Sequence, residues 1–265
     1  MNQRWAQRLA SYRPAGEVIV PAEYDVSEIP DAVSTAFVIE HHYSASYPVA
    51  RFDFGLFRHG RLVGVAVFSE SMNPATITNV FPCERRHGVE LGRFVLLDEV
   101  PGNGETWFLS RAFELLRAKE IRGVVSFSDP MPRRSADGRV VLPGHVGTIY
   151  QAFNGVYLGR SKRQVLQVLP DGTVFSNRAA SKIRNQERNW RGPVEKLLRF
   201  GAEPFDQEDP AGWLRCQLAR VARPMHHPGN HRYAWALDRR LRPTLESRRR
   251  AVNQPYPKHT DTEVA

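Results

Sequence analysis

The chain lacks several features that would assign it quickly to a class. Its 265 residues include two cysteines, Cys83 and Cys216, whose wide separation excludes a disulfide framework and favours a reducing compartment. No apolar run reaches the ~18 residues that a membrane-spanning helix needs, and the N-terminus has no apolar stretch of signal-peptide length. We therefore expect a soluble cytoplasmic protein with no membrane partner.

Lysine is also scarce, because only five of the 37 basic residues are lysines and the rest are arginines. Against 28 acidic residues, the formal net charge is +9. The planar guanidinium of arginine binds phosphate through two hydrogen bonds and stacks on bases, so this excess favours a polyanionic partner. A bias in genome composition is the alternative explanation.

Apolar residues make up 42% of the chain, enough for a substantial core. Apolar residues at helical spacing predict helices over 28–41 and 106–119, and a β-hairpin is predicted from 52–57 and 62–68 around Gly60. The further predicted elements are strands at 91–97, 124–127, 156–158 and 165–169 and a short helix at 148–153. This order predicts an α/β (α+β) domain with a mixed sheet.

Composition divides the chain into a polar lead (1–16), this α/β domain (17–170) and a basic, mainly helical C-terminal extension (171–265). Between Arg160 and Phe200 ten basic residues face three acidic ones. Helices are predicted over 179–190, 213–221 and 234–245, and a loose tail over the last dozen residues.

Two neighbouring segments carry the strongest functional signal. Residues 126–130 (Ser-Phe-Ser-Asp-Pro) end a β-branched strand in a polar corner, and the block Gly144–Gly159 contains a short helix stopped by Asn154-Gly155. Asp129 and Tyr150 therefore lie at neighbouring ends of secondary structure, where proton-handling sites are often built.

A glycine-containing loop, 101–105 (Pro-Gly-Asn-Gly-Glu), lies between a predicted strand and a predicted helix. Backbone amides and the positive end of a helix can together hold a pyrophosphate, although an ordinary turn is the alternative. Strand, loop, helix, strand, short helix and strand is the order found in the GNAT acyltransferase superfamily, whose loop at this position takes the pyrophosphate of coenzyme A.

Together, the run Glu90–Asp98, the Ser-Asp-Pro corner and the Gly144–Gly159 block resemble the Mom family of phage DNA-modification proteins, and His42-Tyr43-Ser44 matches the family's upstream His-Tyr element. The resemblance implies a GNAT-like fold, with a mixed central sheet flanked by helices. It also implies transfer of a methylcarbamoyl group to the exocyclic amine of adenine in double-stranded DNA, which shields phage DNA from restriction in the bacterial host. The family is linked to acetyl-CoA or a related acyl-CoA, and iron is left open.

The candidates for catalysis on this basis are His42, Tyr43, Arg93, Asp129 and Tyr150. An exocyclic amine is a poor nucleophile, so Asp129 would accept its proton or hold it in place, and Tyr150 would protonate the departing thiolate. His42 would act as a base or a metal ligand.

Each candidate also has a purely structural interpretation. Asp129 would cap a turn, Tyr150 would be a core tyrosine, and His42 would cap a helix C-terminus. Arg93 lies on an apolar strand and must find an anion, which Glu90 or Asp98 could supply.

Three further sets of residues follow from the same reasoning. The cofactor candidates are Leu96, Leu97, Gly102, Asn103, Gly104 and Glu105, and the candidates for DNA contact are Arg160, Lys162, Arg163, Arg178, Lys182, Arg184 and Arg188. Cys83 with His87, and His226, His227 and His231, have spacings that could reach a cation, but solvated loop histidines are the favoured interpretation. If iron is used, His42, Tyr43 and Asp129 are chemically more suitable.

Two other functions compete with DNA modification. An ordinary GNAT N-acetyltransferase acting on a small amine or a protein would share the coenzyme loop, and a non-enzymatic DNA-binding protein would keep the basic surface without the chemistry. The first predicts turnover of acetyl-CoA without DNA. The second predicts that Asp129 and Tyr150 can be replaced without consequence.

Overall fold

A computed structural model describes residues 2–7, 9–13 and 17–258. The described residues fall into two units, the first drawn from Met1–Asp129, Val146–Arg160 and Asn230–His259, the second from Pro130–His145 and Ser161–Gly229. This division differs from the sequence-based boundary at 170, because the last part of the chain returns to the first unit.

The first unit contains the following elements: β1 (Asn2–Ala6), β2 (Leu9–Arg13), β3 (Tyr24–Glu28), α1 (Asp31–His41), β4 (Ala50–Arg58), β5 (Arg61–Ser69), α2 (Ala75–Val80), β6 (Gly88–Leu96), α3 (Gly104–Ala118), β7 (Gly123–Ser128), α4 (Thr148–Ala152), β10 (Val156–Arg160), β14 (His231–Ala236) and α8 (Arg242–Val252). Seven strands form one sheet in the order β10-β14-β7-β6-β5-β4-β3. β6 and β7 run parallel and the other neighbours run antiparallel. The predicted mixed sheet flanked by helices is confirmed.

Local sequence explains several of these elements. His59 (φ 48°) and Gly60 (φ 77°) both adopt positive φ between β4 and β5, the conformation that a two-residue hairpin turn needs. In α3 the residues at helical spacing are buried, among them Phe108, Ala112 and Leu116. The hairpin and the long helix therefore form where the sequence predicts them.

The sheet has two covered faces, which we call the α3 face and the α1 face. On the α3 face, Leu91, Phe108, Tyr150 and Tyr233 belong to one buried cluster. On the α1 face, a second cluster joins residues of α1 to β5 and β6, including Val95. Because both faces are covered, the central strands are buried on both sides.

The predicted helix over 234–245 is wrong. Residues 231–236 form β14, which pairs with β7 on one side and β10 on the other, and helix begins at Arg242. Ala234 packs on the α1 side of the sheet near α8, while Tyr233 and Trp235 pack on the α3 face. A strand buried on both faces has no alternation of polar and apolar residues to distinguish it from a helix.

The second unit contains β8 (Arg133–Arg134), β9 (Val140–Leu142), β11 (Gln164–Val168), β12 (Val174–Phe175), α5 (Asn177–Arg184), α6 (Arg191–Leu198), α7 (Pro210–Val221) and β13 (Arg223–His227). Its three helices bury a cluster that includes Ile183, Leu197 and Leu214. The helix predicted over 179–190 is shorter than expected, because α5 ends at Arg184. This unit is thus a mixture of helices and a three-stranded sheet, in the order β12-β11-β13, rather than a helical extension.

The two ends of the chain complete the description. Within the predicted polar lead, β1 and β2 pair as an antiparallel hairpin, whereas residues 1, 8 and 14–16 lie outside the described residues. Of the predicted loose tail, 254–258 are in neither helix nor strand and 259–265 lie outside the described residues. Among the helices described, none combines the length and the apolar character needed to cross a membrane.

Candidate active site where two parallel strands separate

The sheet opens between β6 and β7. Their parallel pairing runs from Gly88 opposite Gly123 to Leu91 opposite Ser126, whereas β6 continues to Leu96. A bulge lies at the end of the paired stretch, because Leu91 is opposite Phe68 and Arg93 is opposite Val67 on β5, which leaves Gly92 as an extra residue. The bulge therefore coincides with the point where the two strands part.

The bulge also determines which face each side chain occupies. Leu91 before it and Phe94 after it both pack on the α3 face, so Arg93 and Val95 point to the α1 face. Glu90 lies on the α1 face by the same alternation. Tyr150 belongs to the cluster on the opposite face, and the opening between the strands lets groups from the two faces approach each other.

Arg93 interacts electrostatically with groups from both faces of the sheet. Its Nε and Nη2 donate to the carbonyl oxygen (2.9 Å) and to Oγ (2.8 Å) of Ser46, and its Nη1 donates to the carbonyl oxygen of Gly92 (2.6 Å). Burial lowers the pKa of Arg93, and this is opposed by Tyr43, Glu90 and Tyr150, which are close enough to favour its positive charge. These three side chains are therefore near enough to the guanidinium to interact with it electrostatically.

Glu90 is a site residue that the sequence analysis named only as a structural partner. Burial raises the pKa of its carboxyl, and a hydrogen bond with Ser71 and the nearby positive charge of Arg93 partly offset this effect. A carboxylate whose pKa is raised in this way accepts a proton closer to neutral pH. The signal in the sequence was a single charge between the apolar residues Val89 and Leu91.

Tyr150 lies in α4 with its side chain buried. Burial raises its pKa, while a hydrogen bond with Ser126 acts in the opposite direction. The Ser126 hydroxyl also donates to the carbonyl oxygen of Leu91 (2.9 Å), across the last pair of residues before the strands separate. The phenol is therefore held in its protonated form at the edge of the opening.

Gly147, which precedes α4, fixes the approach of Tyr150 to the sheet. It has φ 78°, and a Cβ there would lie 2.7 Å from the ring of Tyr233, 2.9 Å from that of Tyr150 and 3.1 Å from Ser128 Oγ. No other residue type fits this position without displacing one of the two tyrosines.

Replacing Gly147 with alanine should therefore destabilise the protein more than Gly60→Ala does. Gly60 has φ 77° with no described atom within 4 Å of a Cβ, so its variant should lose roughly 1–2 kcal/mol from backbone strain alone. Gly147→Ala should lose about 1–3 kcal/mol more because of overpacking. Urea denaturation of the two variants measures the difference, and equal losses would contradict the close packing around α4.

His42 and Tyr43 follow α1 directly. The His42 amide donates to the carbonyl oxygen of Val38 (2.9 Å), so it does cap the helix, and its imidazole is buried with its centroid 4.1 Å from that of Tyr43. Its Nδ1 lies 2.9 Å from Ser44 Oγ. Tyr43 is near enough to Arg93 to raise the pKa of its guanidinium, which places the His-Tyr element on the same side of the sheet as Arg93.

Asp129 directly follows Ser128 at the end of β7 and is half-buried. It lies three residues beyond Ser126, just past the end of the strand that forms one side of the opening. Asp98 follows β6 on the other side and is exposed. Of the two anionic partners proposed for Arg93 from the sequence, only Glu90 acts on its pKa, and the hydrogen bonds of the guanidinium go to Ser46 and to the carbonyl oxygen of Gly92.

With this geometry established, comparison with known proteins identifies the family. The model of the Mom protein family matches residues 23–258. The chain belongs to the Mom protein family. It is 25% identical over 221 residues to the methylcarbamoylase Mom of Escherichia phage Mu, an alignment that covers 82% of this chain and 76% of that protein.

Solved structures resemble the chain more distantly. A putative acetyltransferase from Salmonella typhimurium with its cofactor acetyl-CoA has a TM-score of 0.38 at 10% identity, covering 82% of this chain and 95% of that one. A GNAT family N-acetyltransferase from Escherichia coli in complex with CoA has a TM-score of 0.34 at 13% identity, covering 55% of this chain and 72% of that one.

The loop predicted to hold a cofactor in this Mom family member connects β6 to α3 as expected. Leu96 is buried in the core, and the Leu97 amide donates to the carbonyl oxygen of Val63 (2.9 Å). Gly104 starts α3, and Asn103, with φ 62°, precedes it. The positive end of α3 therefore begins directly after the loop.

Part of this loop is engaged by the N-terminal segment. Gly102 forms a β-bridge with Val18, and Asn103 Oδ1 accepts a hydrogen bond from the Ile19 amide (3.1 Å). The buried carboxylate of Glu105 forms an ion pair with the buried guanidinium of Arg4. No sequence pattern pointed to Arg4, because its partners lie about a hundred positions further along the chain.

The structure also bears on the expectations for the histidines and for iron. His226 is exposed as expected, but His227 and His231 are buried on strands, which contradicts their interpretation as solvated loop residues. Within the described ranges, no group of three or more histidine, cysteine, aspartate or glutamate side chains could hold a metal ion. Iron is therefore not supported.

The candidates for DNA contact differ in exposure, in ion pairing and in the unit to which they belong. Lys162, Arg163, Arg184 and Arg188 are exposed in the second unit, and Lys182 there is half-buried. Arg178 forms an ion pair with Glu187 (2.6 Å), so its charge is largely used within the unit. Arg160 ends β10 in the first unit and is exposed.

Proposed function

We propose that the chain transfers a methylcarbamoyl group to the exocyclic amine of adenine in double-stranded DNA from an acyl-CoA, related to acetyl-CoA, whose thioester already carries that group. Membership of the Mom family supports DNA modification, and the name of the phage Mu relative supports the nature of the group. Modified DNA would resist restriction in the cytoplasm of a bacterial host. The observation that carries the proposal is Arg93 at the separation of β6 and β7, hydrogen-bonded to Ser46 and within electrostatic range of Tyr43, Glu90 and Tyr150.

Acyl transfer to this amine needs a proton acceptor, because the lone pair of the nitrogen is delocalised into the purine ring. Glu90 fills this role, since its raised pKa suits proton transfer closer to neutral pH and Arg93 lies beside it. Asp129, at the end of β7, holds the amine in place. As the new N–C bond forms, the proton of the amine passes to Glu90.

Departure of the thiol needs a proton donor. Tyr150 supplies it, because its raised pKa keeps the phenol protonated. As the C–S bond breaks, the phenolic proton passes to sulfur. Arg93 stabilises the negative charge that develops on the acyl oxygen, and its guanidinium has five N–H donors, of which three are used by Ser46 and Gly92.

The pyrophosphate of the donor would bind at the start of α3, where the amides of the first turn and the positive helix end lie. Glu105 in that turn would repel phosphate if it were unpaired. Its ion pair with Arg4 neutralises this charge, so the loop is compatible with an anionic ligand.

The exposed basic residues of the second unit would neutralise DNA phosphates. Lys162, Arg163, Arg184 and Arg188 carry this role, and Arg178 contributes less because of Glu187. Such contacts give affinity without choice of sequence, and binding should weaken steeply as salt is raised. The target adenine must still leave the base stack before its amine can react.

Expression of the protein in bacteria with a plasmid tests the proposal directly. Plasmid DNA digested to nucleosides should contain a modified deoxyadenosine that mass spectrometry detects. A Tyr150→Phe variant expressed to the same level controls for modification by the host. Only ordinary nucleosides from cells that contain soluble, unaltered protein would contradict the proposal, and turnover of acetyl-CoA without DNA would favour a small-amine acetyltransferase.

A further inference from the structure

The last turn of α8 carries three consecutive arginines that have no part in the reaction described above. Arg248, Arg249 and Arg250 are all exposed. Basic residues near the C-terminus of a helix stabilise it by complementing its dipole, so their presence alone indicates no partner. Their place in the fold is more informative.

The register of the sheet relates this region to the candidate site. Arg160, the exposed last residue of β10, is opposite His231 on β14, and His231 is in turn opposite Ser128, the last residue of β7. Neighbouring strands lie about 4.8 Å apart, so the backbones of Arg160 and Ser128 are about 10 Å apart. Asp129, which holds the amine in the proposed reaction, directly follows Ser128.

The end of α8 lies beside Arg160. A Cβ on Gly159 would lie 3.5 Å from Val252 Cγ1 and 3.9 Å from Gln254 Oε1, so the last residue of the helix lies against the end of β10. Arg248 is about one helical turn, or about 6 Å along the axis, from Val252. We use the name β10–α8 surface for the four exposed residues Arg160, Arg248, Arg249 and Arg250.

A net positive charge remains on this surface. Arg249 Nε and Nη2 donate to the two carboxylate oxygens of Glu246 (2.8 and 2.6 Å), and Arg250 Nε donates to the same carboxylate (3.3 Å). Hydrogen bonds from these two guanidinium groups lower the pKa of Glu246 to about 2, so one negative charge faces two positive ones at neutral pH. Arg250 keeps 77% of its side chain exposed.

The other two arginines keep their charges as well. Within the part of the chain that the structure describes, neither Arg160 nor Arg248 forms an ion pair with a carboxylate. Burial raises the pKa of the Tyr157 hydroxyl and the nearby guanidinium of Arg160 partly opposes this, so the phenol is neutral and leaves the charge of Arg160 in place. The β10–α8 surface is therefore positive and open to an anion.

We propose that the β10–α8 surface binds the phosphates of the DNA strand that flank the target adenine. A duplex carries one negative charge per ~1.7 Å of its axis, so phosphates lie within about 10 Å of any base that reaches Asp129. Guanidinium groups bind phosphate through two hydrogen bonds. The inference rests on the proposed function and adds, to the basic residues of the second unit, a DNA contact on the unit that carries the candidate site.

Binding of a fluorescent DNA duplex at several salt concentrations tests this surface. An Arg160→Gln/Arg248→Gln/Arg250→Gln variant of the full chain should bind roughly 10–100-fold more weakly than the unaltered protein at about 0.1 M salt. The magnitude of the slope of log K against log salt should fall by about 2–3, because each lost phosphate contact removes ~0.9. Lysine at the same three positions keeps the charges and should restore the slope.

The matched control is an Arg239→Gln/Arg240→Gln/Arg242→Gln variant. These arginines are exposed and their replacement removes the same charge, but they follow the other end of β14, where Ala236 is opposite Gly123, the first residue of β7. Their loss should leave the salt dependence unaltered. Equal weakening in the two variants would overturn the inference, because net charge and not this surface would then govern binding.

These measurements also separate the surface from the proposed chemistry. They use no acyl donor, so they remain decisive if no group is transferred. An unaltered slope in the Arg160→Gln/Arg248→Gln/Arg250→Gln variant would overturn the inference and leave DNA modification standing, whereas an unaltered protein that binds no duplex would overturn both.

Discussion

Tyr150→Phe should slow DNA modification by about 10²–10⁴-fold, the usual contribution of a positioned proton donor, without a matching loss of stability. The phenol is buried with a raised pKa, so it remains protonated until the thiolate departs. Phenylalanine keeps the ring contacts, since the Tyr150 centroid lies 5.4 Å from that of Tyr233 and 5.7 Å from that of Trp235. Single-turnover rates with a duplex and an acyl-CoA measure the effect.

Tyr233→Phe is the matched control for this variant. Tyr233 belongs to the same buried cluster, but its hydroxyl donates to the carbonyl oxygen of Val146 (2.5 Å). Its loss should cost about 1 kcal/mol of stability and leave the rate nearly unchanged. If both variants lose rate equally, the effect of Tyr150 is one of packing and not of proton transfer.

The leaving group offers a second test of Tyr150. A donor with a more acidic thiol needs less protonation as the C–S bond breaks, so the deficit of Tyr150→Phe should shrink with such a thioester. An equal deficit with both donors would contradict the role of proton donor. DNA affinity should be the same in all these experiments, because Tyr150 takes no part in binding phosphate.

The elements that the sequence predicted well are those whose pattern is local. In α3 the apolar residues recur at helical spacing, and the turn between β4 and β5 needs the backbone freedom of Gly60. Both follow from a window of about fifteen residues or fewer. The strand and short helix that position Ser126 and Tyr150 belong to the same group.

The order of the strands could not be predicted in this way. β14 lies between β7 and β10, although about 70 residues of the second unit separate it from β10 in sequence. Composition changes near Pro170, where basic residues become frequent, but the chain passes between the units after Asp129, before Val146, after Arg160 and before Asn230. Charge patterns report on the surface and not on which strand completes a sheet.

The candidate site also combines residues that a local motif predicts with residues whose contacts depend on the folded structure. Arg93 and Tyr150 were named from motifs, and the structure brings them near each other because the bulge at Gly92 and the separation of β6 from β7 connect the two faces. Ser46 depends on a turn with positive φ at Ala45, a conformation that alanine does not signal. From the sequence Glu90 was only a possible partner of Arg93 in an apolar strand, and its electrostatic interaction with Tyr150, on the other face of the sheet, becomes visible only in the structure.

Glu90→Gln should lower kcat/KM by about 10²–10⁴-fold, because glutamine keeps the shape of the side chain but cannot accept the proton of the amine. Asp129→Asn should lower it less, since an amide can still hold the amine by a hydrogen bond. Glu114→Gln, on the exposed side of α3, controls for the loss of one negative charge and should have no effect. A larger loss in Asp129→Asn than in Glu90→Gln would exchange the two roles.

The pH dependence separates a base from a merely structural carboxylate. In the unaltered protein the rate should fall as pH is lowered through the pKa of Glu90, which burial raises above its ordinary value of 4.5, because the protonated carboxyl cannot accept a proton. The fall should therefore begin at a higher pH than an ordinary carboxylate would give. The residual rate of Glu90→Gln should lack this acidic limb, whereas Asp129→Asn should retain it. Glutamine has no carboxyl to titrate. An acidic limb that persists in Glu90→Gln would therefore show that another group accepts the proton.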